Sequence, residues 1–269
     1  MSYVDCKHLI TEVKDEVLWI SLNRPEAMNA FSDEMIEGLV KAIKKAEEDS
    51  AIRLSVITGS GKAFCAGGDI KAMEEKTGMF AGDSKELKER YQKGIQQIPL
   101  AIESVNKPII AMVNGAAIGA GLDLACMCDI RVGSEYAKFG ETFAKLALVP
   151  GDGGSYFLQR VVGFAKAMEM TLTGSIYNAS QAKEMGLLNE VAEAEDLKSR
   201  VQVYIDAIKL TAPKAVAFGK AALKAAYHEE LAPMLDTLST YQGETQRTED
   251  HFEAIKAFKE KRKPVWKGH

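Results

Sequence analysis

Asn114-Gly115-Ala116-Ala117-Ile118-Gly119-Ala120-Gly121-Leu122-Asp123 reads as a strand exit running into a glycine-rich helix start. The strand is the apolar run 108–113, and the spacing predicts a helix over 119–127. Amides at a helix N-terminus have no intrahelical acceptor and lie at the positive end of the helix dipole, so they can hold an oxyanion without reorganising. Glycines also serve close helix packing, and the segment alone leaves both readings open. The spacing is G-x-x-x-G-x-G, not G-x-G-x-x-G, which excludes a dinucleotide fingerprint. The apolar stretch 109–128 is long enough for a membrane span, but Asn114, Gly115 and Asp123 interrupt it. Strand, turn and buried helix is the better reading.

Working outward, strands are expected at 17–22, 52–58, 129–132 and near 188–191. An amphipathic helix follows the first, with Ser32 as N-cap and Met35, Ile36, Leu39, Val40 and Ile43 at helical spacing. A polar stretch covers 74–88, with a helix from there to about 105, and another helix is expected at 155–162. Alternating strands and helices imply an α/β core over residues 1–195. Residues 196–269 read as a helical subdomain: Leu197, Val201, Tyr204, Ile205 and Ile208 form one stripe, and Pro213 and Pro233 suit first turns. The boundary marks a change of architecture rather than a separate domain.

Of the 269 residues 46% are hydrophobic and 27% charged, which describes a globular chain able to bury a core. A formal net charge of -4 argues against nucleic acid or an anionic membrane as partner. Cys6, Cys65, Cys126 and Cys128 lack zinc-site spacing, so no metal is expected. The start MSYVDCKHLITEV has no apolar h-region, and a cytoplasmic location is expected.

A second small-residue loop, Phe64-Cys65-Ala66-Gly67-Gly68-Asp69-Ile70, follows a strand and allows close backbone approach to a ligand; from this segment alone, a tight turn with Asp69 capping the next helix is the stronger reading. Gly59-Ser60-Gly61-Lys62 lacks the upstream glycine and the following Ser/Thr of a phosphate loop. His8, His228, His251 and His269 sit in polar contexts that give no nucleophile pair, while Cys65 and the tyrosines Tyr136 and Tyr156 read as packing residues.

Both loops, with Asn23-Arg24-Pro25, Asn29-Ala30, Met127-Cys128-Asp129-Ile130-Arg131, Val149-Pro150-Gly151, Gly153-Gly154, Phe258 and Glu260-Lys261-Arg262, resemble the enoyl-CoA hydratase/isomerase, or crotonase, superfamily over nearly the whole chain. That resemblance implies a spiral of β-β-α turns followed by helices that assemble trimers, often stacked as hexamers. It also implies thioester-binding amides at Gly68 and Ala120 and coenzyme A contacts near Ala27, Ala66, Asp69, Ile70 and Lys71. Phe258 and Lys261 match tail positions that reach a neighbouring subunit's coenzyme A, although Lys261 also lies in a charged run that reads as a solvated face. No cofactor is implied beyond coenzyme A as part of the substrate.

Hydratases of this family carry two glutamates, one handling water and one the α-carbon proton. Here the first position is Asp123, whose neighbours Leu122, Leu124 and Ala125 argue against a solvated carboxylate. The second is Phe143, which exchanges no proton. Glu141 would share the Phe143 face if the segment were extended, and otherwise reads as an exposed loop carboxylate. Asp152 is either a third acid or the cap of the 155–162 helix. The expected activity is that of an acyl-CoA isomerase or hydratase. The alternatives are thioester hydrolysis or a ring-acyl substrate, and a non-catalytic acyl-CoA or RNA-binding module.

Overall fold

The computed structural model describes residues 2–269. Its strands in chain order are Leu9–Lys14 (β1), Val17–Leu22 (β2), Leu54–Gly59 (β3), Ala63–Cys65 (β4), Ile109–Val113 (β5), Ala116–Ile118 (β6), Ile130–Ser134 (β7), Lys138–Gly140 (β8), Ile176–Asn178 (β9) and Glu190–Ala192 (β10). Helices Asp33–Glu48 (α1), Ile70–Glu75 (α2), Ser84–Lys93 (α3), Gln97–Ser104 (α4), Ala120–Met127 (α5), Gly154–Val162 (α6), Phe164–Thr173 (α7) and Ala179–Glu184 (α8) lie among them. The remaining helices are Leu197–Lys209 (α9), Pro213–Ala225 (α10), Leu231–Thr245 (α11) and Glu249–Glu260 (α12).

The chain divides into two compact units, Met1–Val105 with Ile109–Val201, and Asn106–Pro108 with Gln202–His269. In the first, a six-stranded sheet runs β1-β2-β3-β5-β7-β10 and is parallel except for the β1–β2 hairpin. A second sheet runs β4-β6-β8-β9, with its first three strands parallel. Each turn of chain places one strand in the large sheet, one in the small sheet, and then helix: β3-β4-α2, β5-β6-α5, β7-β8-α6. This is the β-β-α spiral expected from the resemblance. Parallel neighbours need a crossover, and helices supply it while covering the sheet faces.

Helix α1 begins where Ser32 accepts from Met35 N at 3.2 Å, and it buries Met35, Ile36, Leu39 and Ile43 on one face. These side chains join Leu18, Ile20, Leu22, Ile57, Phe64, Ile98 and Phe139 in one core. The helix expected through residue 105 is broken into α3 and α4, because the intervening Gly94 backbone leaves the helical region. Within the polar stretch 74–88, Asp83 and Glu86 form a capping box that starts α3.

The second unit is helical, with Pro213 opening α10 and Pro233 in the first turn of α11. Its chain end is fastened: Asp250, 1% exposed, accepts from Lys267 N at 2.7 Å and Gly268 N at 2.9 Å. Among the described residues no helix is long and apolar enough to cross a membrane.

Candidate active site

Because β4, β6 and β8 are parallel neighbours, their carboxyl ends emerge along one edge of the small sheet. Gly68 follows β4, Ala120 follows β6 as the first residue of α5, and Glu141 directly follows β8. The first two loops touch through glycine backbone. A Cβ on Gly67, whose φ is +88°, would lie 2.7 Å from Ile118 O and 3.1 Å from Ala120 N, and one on Gly121 would lie 2.0 Å from Cys65 O. Gly119 adopts φ 53° and ψ −125°, which a side chain would resist, and its N–H donates to Gly140 O at 2.8 Å. Among the described residues, neither the Gly68 nor the Ala120 N–H donates to a protein acceptor.

Asp123, Glu141 and Asp152 are 0%, 1% and 3% exposed, and they face one another. Two carboxylates have no proton to share, and the oxygens of Asp123 and Glu141 are without a hydrogen-bond donor. Asp123 lies within reach of both neighbours, so its acid form has an acceptor on either side. Burial, then the charges of Asp152 and Glu141, push the Asp123 carboxyl well above its usual range. Burial also raises Glu141 to about 7, opposed by the hydrogen bond with Asp123, and raises Asp152. Among the described residues no group of three His, Cys, Asp or Glu side chains could hold a metal ion.

Two expectations are corrected here. Glu141 is not an exposed loop carboxylate: it is 1% exposed and lies against Asp123 and Asp152; nor does it share an extended face with Phe143, which begins a 3-10 turn at 143–146. Asp152 does not cap α6: Gly153, φ 118°, holds the cap position with no side-chain hydrogen bond. The Phe143 ring instead lies 3.6 Å from where a Cβ on Gly119 would stand. Gly154 meets Asp123 so closely that a Cβ there would be 2.4 Å from both carboxylate oxygens.

Ala66 N donates to Met28 O at 3.0 Å, so Ala27 and Ala66 lie on adjoining loops. Asp69 does cap α2, accepting from Lys71 N at 3.1 Å and Ala72 N at 3.2 Å. Its other oxygen pairs with Arg24 at 2.9 Å, which holds its carboxyl below the usual range and leaves only its backbone to meet a ligand. Ile70 and Lys71 are exposed. In the second unit Phe258 is 85% exposed, and Lys261 ends α12 in a left-handed conformation. Cys65 is a packing residue: its thiol donates to Asn29 O at 3.1 Å, and burial raises it to about 12.

Sequence reasoning missed Tyr91, Gln96 and the work of Asn29. The Tyr91 ring packs on Gly151, and burial with the Asp152 charge raises its phenol; Gln96 Nε2 donates to Gly151 O at 2.7 Å. Nothing in their polar helical context signalled a tertiary partner. Asn29, fully buried at φ 57°, accepts from Arg24 N at 2.9 Å and donates to Ser60 O and Ala63 O. Asn29→Ala strands these groups, and the expected cost is about 2–3 kcal/mol, read by denaturant unfolding.

Unengaged amides at parallel strand ends and buried acids thus lie together on a β-β-α spiral of two sheets. The chain belongs to the enoyl-CoA hydratase/isomerase family, whose profile matches residues 12–269. It is 37% identical over 248 residues to the mitochondrial enoyl-CoA hydratase of Pongo abelii, covering 92% of this chain and 82% of that one. It is 34% identical over 260 residues to 1,2-epoxyphenylacetyl-CoA isomerase of Escherichia coli K12, covering 97% and 98%. The crystal structure of an enoyl-CoA hydratase from Bacillus anthracis superposes with a TM-score of 0.91 at 31% identity, covering 98% of this chain and all of the other.

Proposed function

We propose that this enzyme moves a proton along the acyl chain of a coenzyme A thioester, as an isomerase or hydratase, with Asp123 as the transferring group. The observation that carries this reading is the pair of unengaged N–H groups, Gly68 and Ala120, beside a buried group of carboxyls. Removing a proton next to a thioester carbonyl sends the electron pair onto oxygen, and two preset amides lower the cost of that charge. Glu141, poised at about 7, accepts the proton from one carbon, and Asp123, held in its acid form, returns one to another. The double bond moves, and passage of a proton from Glu141 to Asp123 across their contact restores the starting state. Asp152 keeps both neighbours raised. Phe143, against Gly119, takes space where a second acid would hold water and favours migration over hydration.

Purified protein is expected to turn over 3-hexenoyl-CoA faster than crotonyl-CoA; turnover of neither would refute the proposal. The kcat/KM profile is expected to rise as Glu141 ionises near pH 7 and to fall as Asp123 loses its proton at higher pH. Glu141→Gln should remove the lower limb, and a profile unchanged by it would count against Glu141. The Phe143 ring favours ring-bearing acyl groups as a second reading, which cinnamoyl-CoA assays separate from hydrolysis by scoring free thiol.

For coenzyme A, no other cofactor being needed, we assign Ala27, Ala66, Asp69, Ile70 and Lys71 on this chain, with Phe258 and Lys261 from a second copy. The exposure of Leu223, Leu231, Leu235 and Phe258 supports a trimer or hexamer, measurable by sedimentation. Four free cysteines, three of them buried, suit the reducing cytoplasm.

A further inference from the structure

The guanidinium of Arg24 heads a relay of hydrogen bonds. Its Nη1 donates to Ala30 O at 2.7 Å. The same peptide group presents Phe31 N–H on its far side, and that N–H donates to Gly67 O at 2.8 Å. The Gly67 carbonyl in turn belongs to the peptide whose N–H is that of Gly68. A trans peptide is planar and carries its C=O and N–H in opposite directions. Fixing Ala30 O therefore aims Phe31 N–H, and fixing Gly67 O aims Gly68 N–H away from Phe31.

We propose that Arg24 is a positioning residue that sets and polarises the Gly68 N–H through the two intervening peptide groups. The inference rests on the reading above that this N–H meets a thioester oxygen. A cation donating to the first carbonyl draws charge along the chain, and each bond strengthens the next, so the terminal N–H becomes a better donor. A second contact keeps the head of the relay in place: Arg24 Nη2 donates to Asp69 Oδ2 at 2.9 Å, and the two side chains are 15% and 20% exposed. Asp69 is the residue after Gly68, and its Oδ1 caps α2. Arg24 thus grips the relay at its start and just beyond its end. Asn29 Oδ1 holds the Arg24 backbone at 2.9 Å.

The test uses hexanoyl-CoA labelled with carbon-13 at the thioester carbonyl, which is saturated and inert to hydration and migration. Infrared difference spectra of the bound label report how strongly the site polarises that carbonyl. Wild type is expected to lower the carbonyl stretching frequency on binding. Arg24→Met and Arg24→Gln should lose most of that shift and about ten-fold in kcat, with a smaller change in KM. Arg24→Lys, which keeps charge but not the two-pronged geometry, should recover part of both. Asp69→Asn, which weakens the second contact but keeps Arg24 Nη1 on Ala30 O, should lose less of the shift than Arg24→Met at saturating label.

A full shift in Arg24→Gln bound to hexanoyl-CoA would overturn the proposal even if its stability fell. An Asp69→Asn loss equal to that of Arg24→Met would also overturn it, since the ion pair alone would then explain the effect. If wild type showed no shift, the thioester reading of Gly68 would fail along with the relay.

Discussion

Replacing Asp123 by asparagine is expected to cut kcat by about 10²- to 10⁴-fold while making the protein more stable near pH 8. The loss follows from removing the group proposed to transfer the proton. The gain follows from electrostatics. Asp123 in the folded chain is raised well above its ordinary 3.8, so the native state binds its proton more tightly than the unfolded state does. That contribution is fully present below about pH 4 and is lost as pH rises through the folded value. Glu141 behaves in the same way between its ordinary 4.5 and about 7, a span worth roughly 3 kcal/mol at about 1.4 kcal/mol per pH unit. Asparagine has no charge to bury and offers an N–H₂ to carboxylates that lack donors. A rise in melting temperature of about 3 °C or more near pH 8, shrinking toward pH 4, is the expected result. Equal destabilisation at both pH values would contradict the shared-proton account.

The second large effect is expected from one methyl group. Gly121→Ala would place its Cβ 2.0 Å from Cys65 O and 2.9 Å from the Cys65 Cβ. The first obstacle is backbone and cannot rotate away, so α5 must move off the loop that carries Gly68. Overpacking of this kind costs about 1–3 kcal/mol. The greater effect is geometric: separating the two proposed carbonyl donors, Gly68 and Ala120 N–H, by about 1 Å costs on the order of 10²-fold in rate. Gly219→Ala is the control, since a Cβ there meets nothing within 4 Å and α10 should gain about 0.5–1 kcal/mol. Loss of kcat in Gly121→Ala under conditions where both variants remain folded separates positioning from stability.

Long, strongly patterned segments were legible. The strand at 17–22 matches β2, Ser32 caps α1, and the α5 helix starts within one residue of expectation. The small sheet was not legible, because β4, β6, β8 and β9 have three residues each, too few to display an alternation. Asp123 stood out as a charge among apolar neighbours in an apolar helix. Glu141 and Asp152 did not, since their burial comes from elements distant in the chain. Asp152 resembled a cap because α6 starts two residues later, but the glycine between them takes the left-handed turn and points the carboxylate inward. The relay from Arg24 was invisible for a related reason: Arg24, Ala30 and Gly67 meet only after folding.

Three short strands ending side by side also say something about how such an enzyme can be retooled. The β4 and β6 ends supply the amides, while the carboxyls arrive from α5, the β8 exit and the loop before α6. If the amides hold the carbonyl as proposed, acid chemistry can drift by a residue or two, gaining, losing or relocating a proton carrier, without disturbing them. On the proposed reading, Phe143 with Glu141 two residues before it is one such arrangement, and diversification of reaction on a constant frame is its natural outcome.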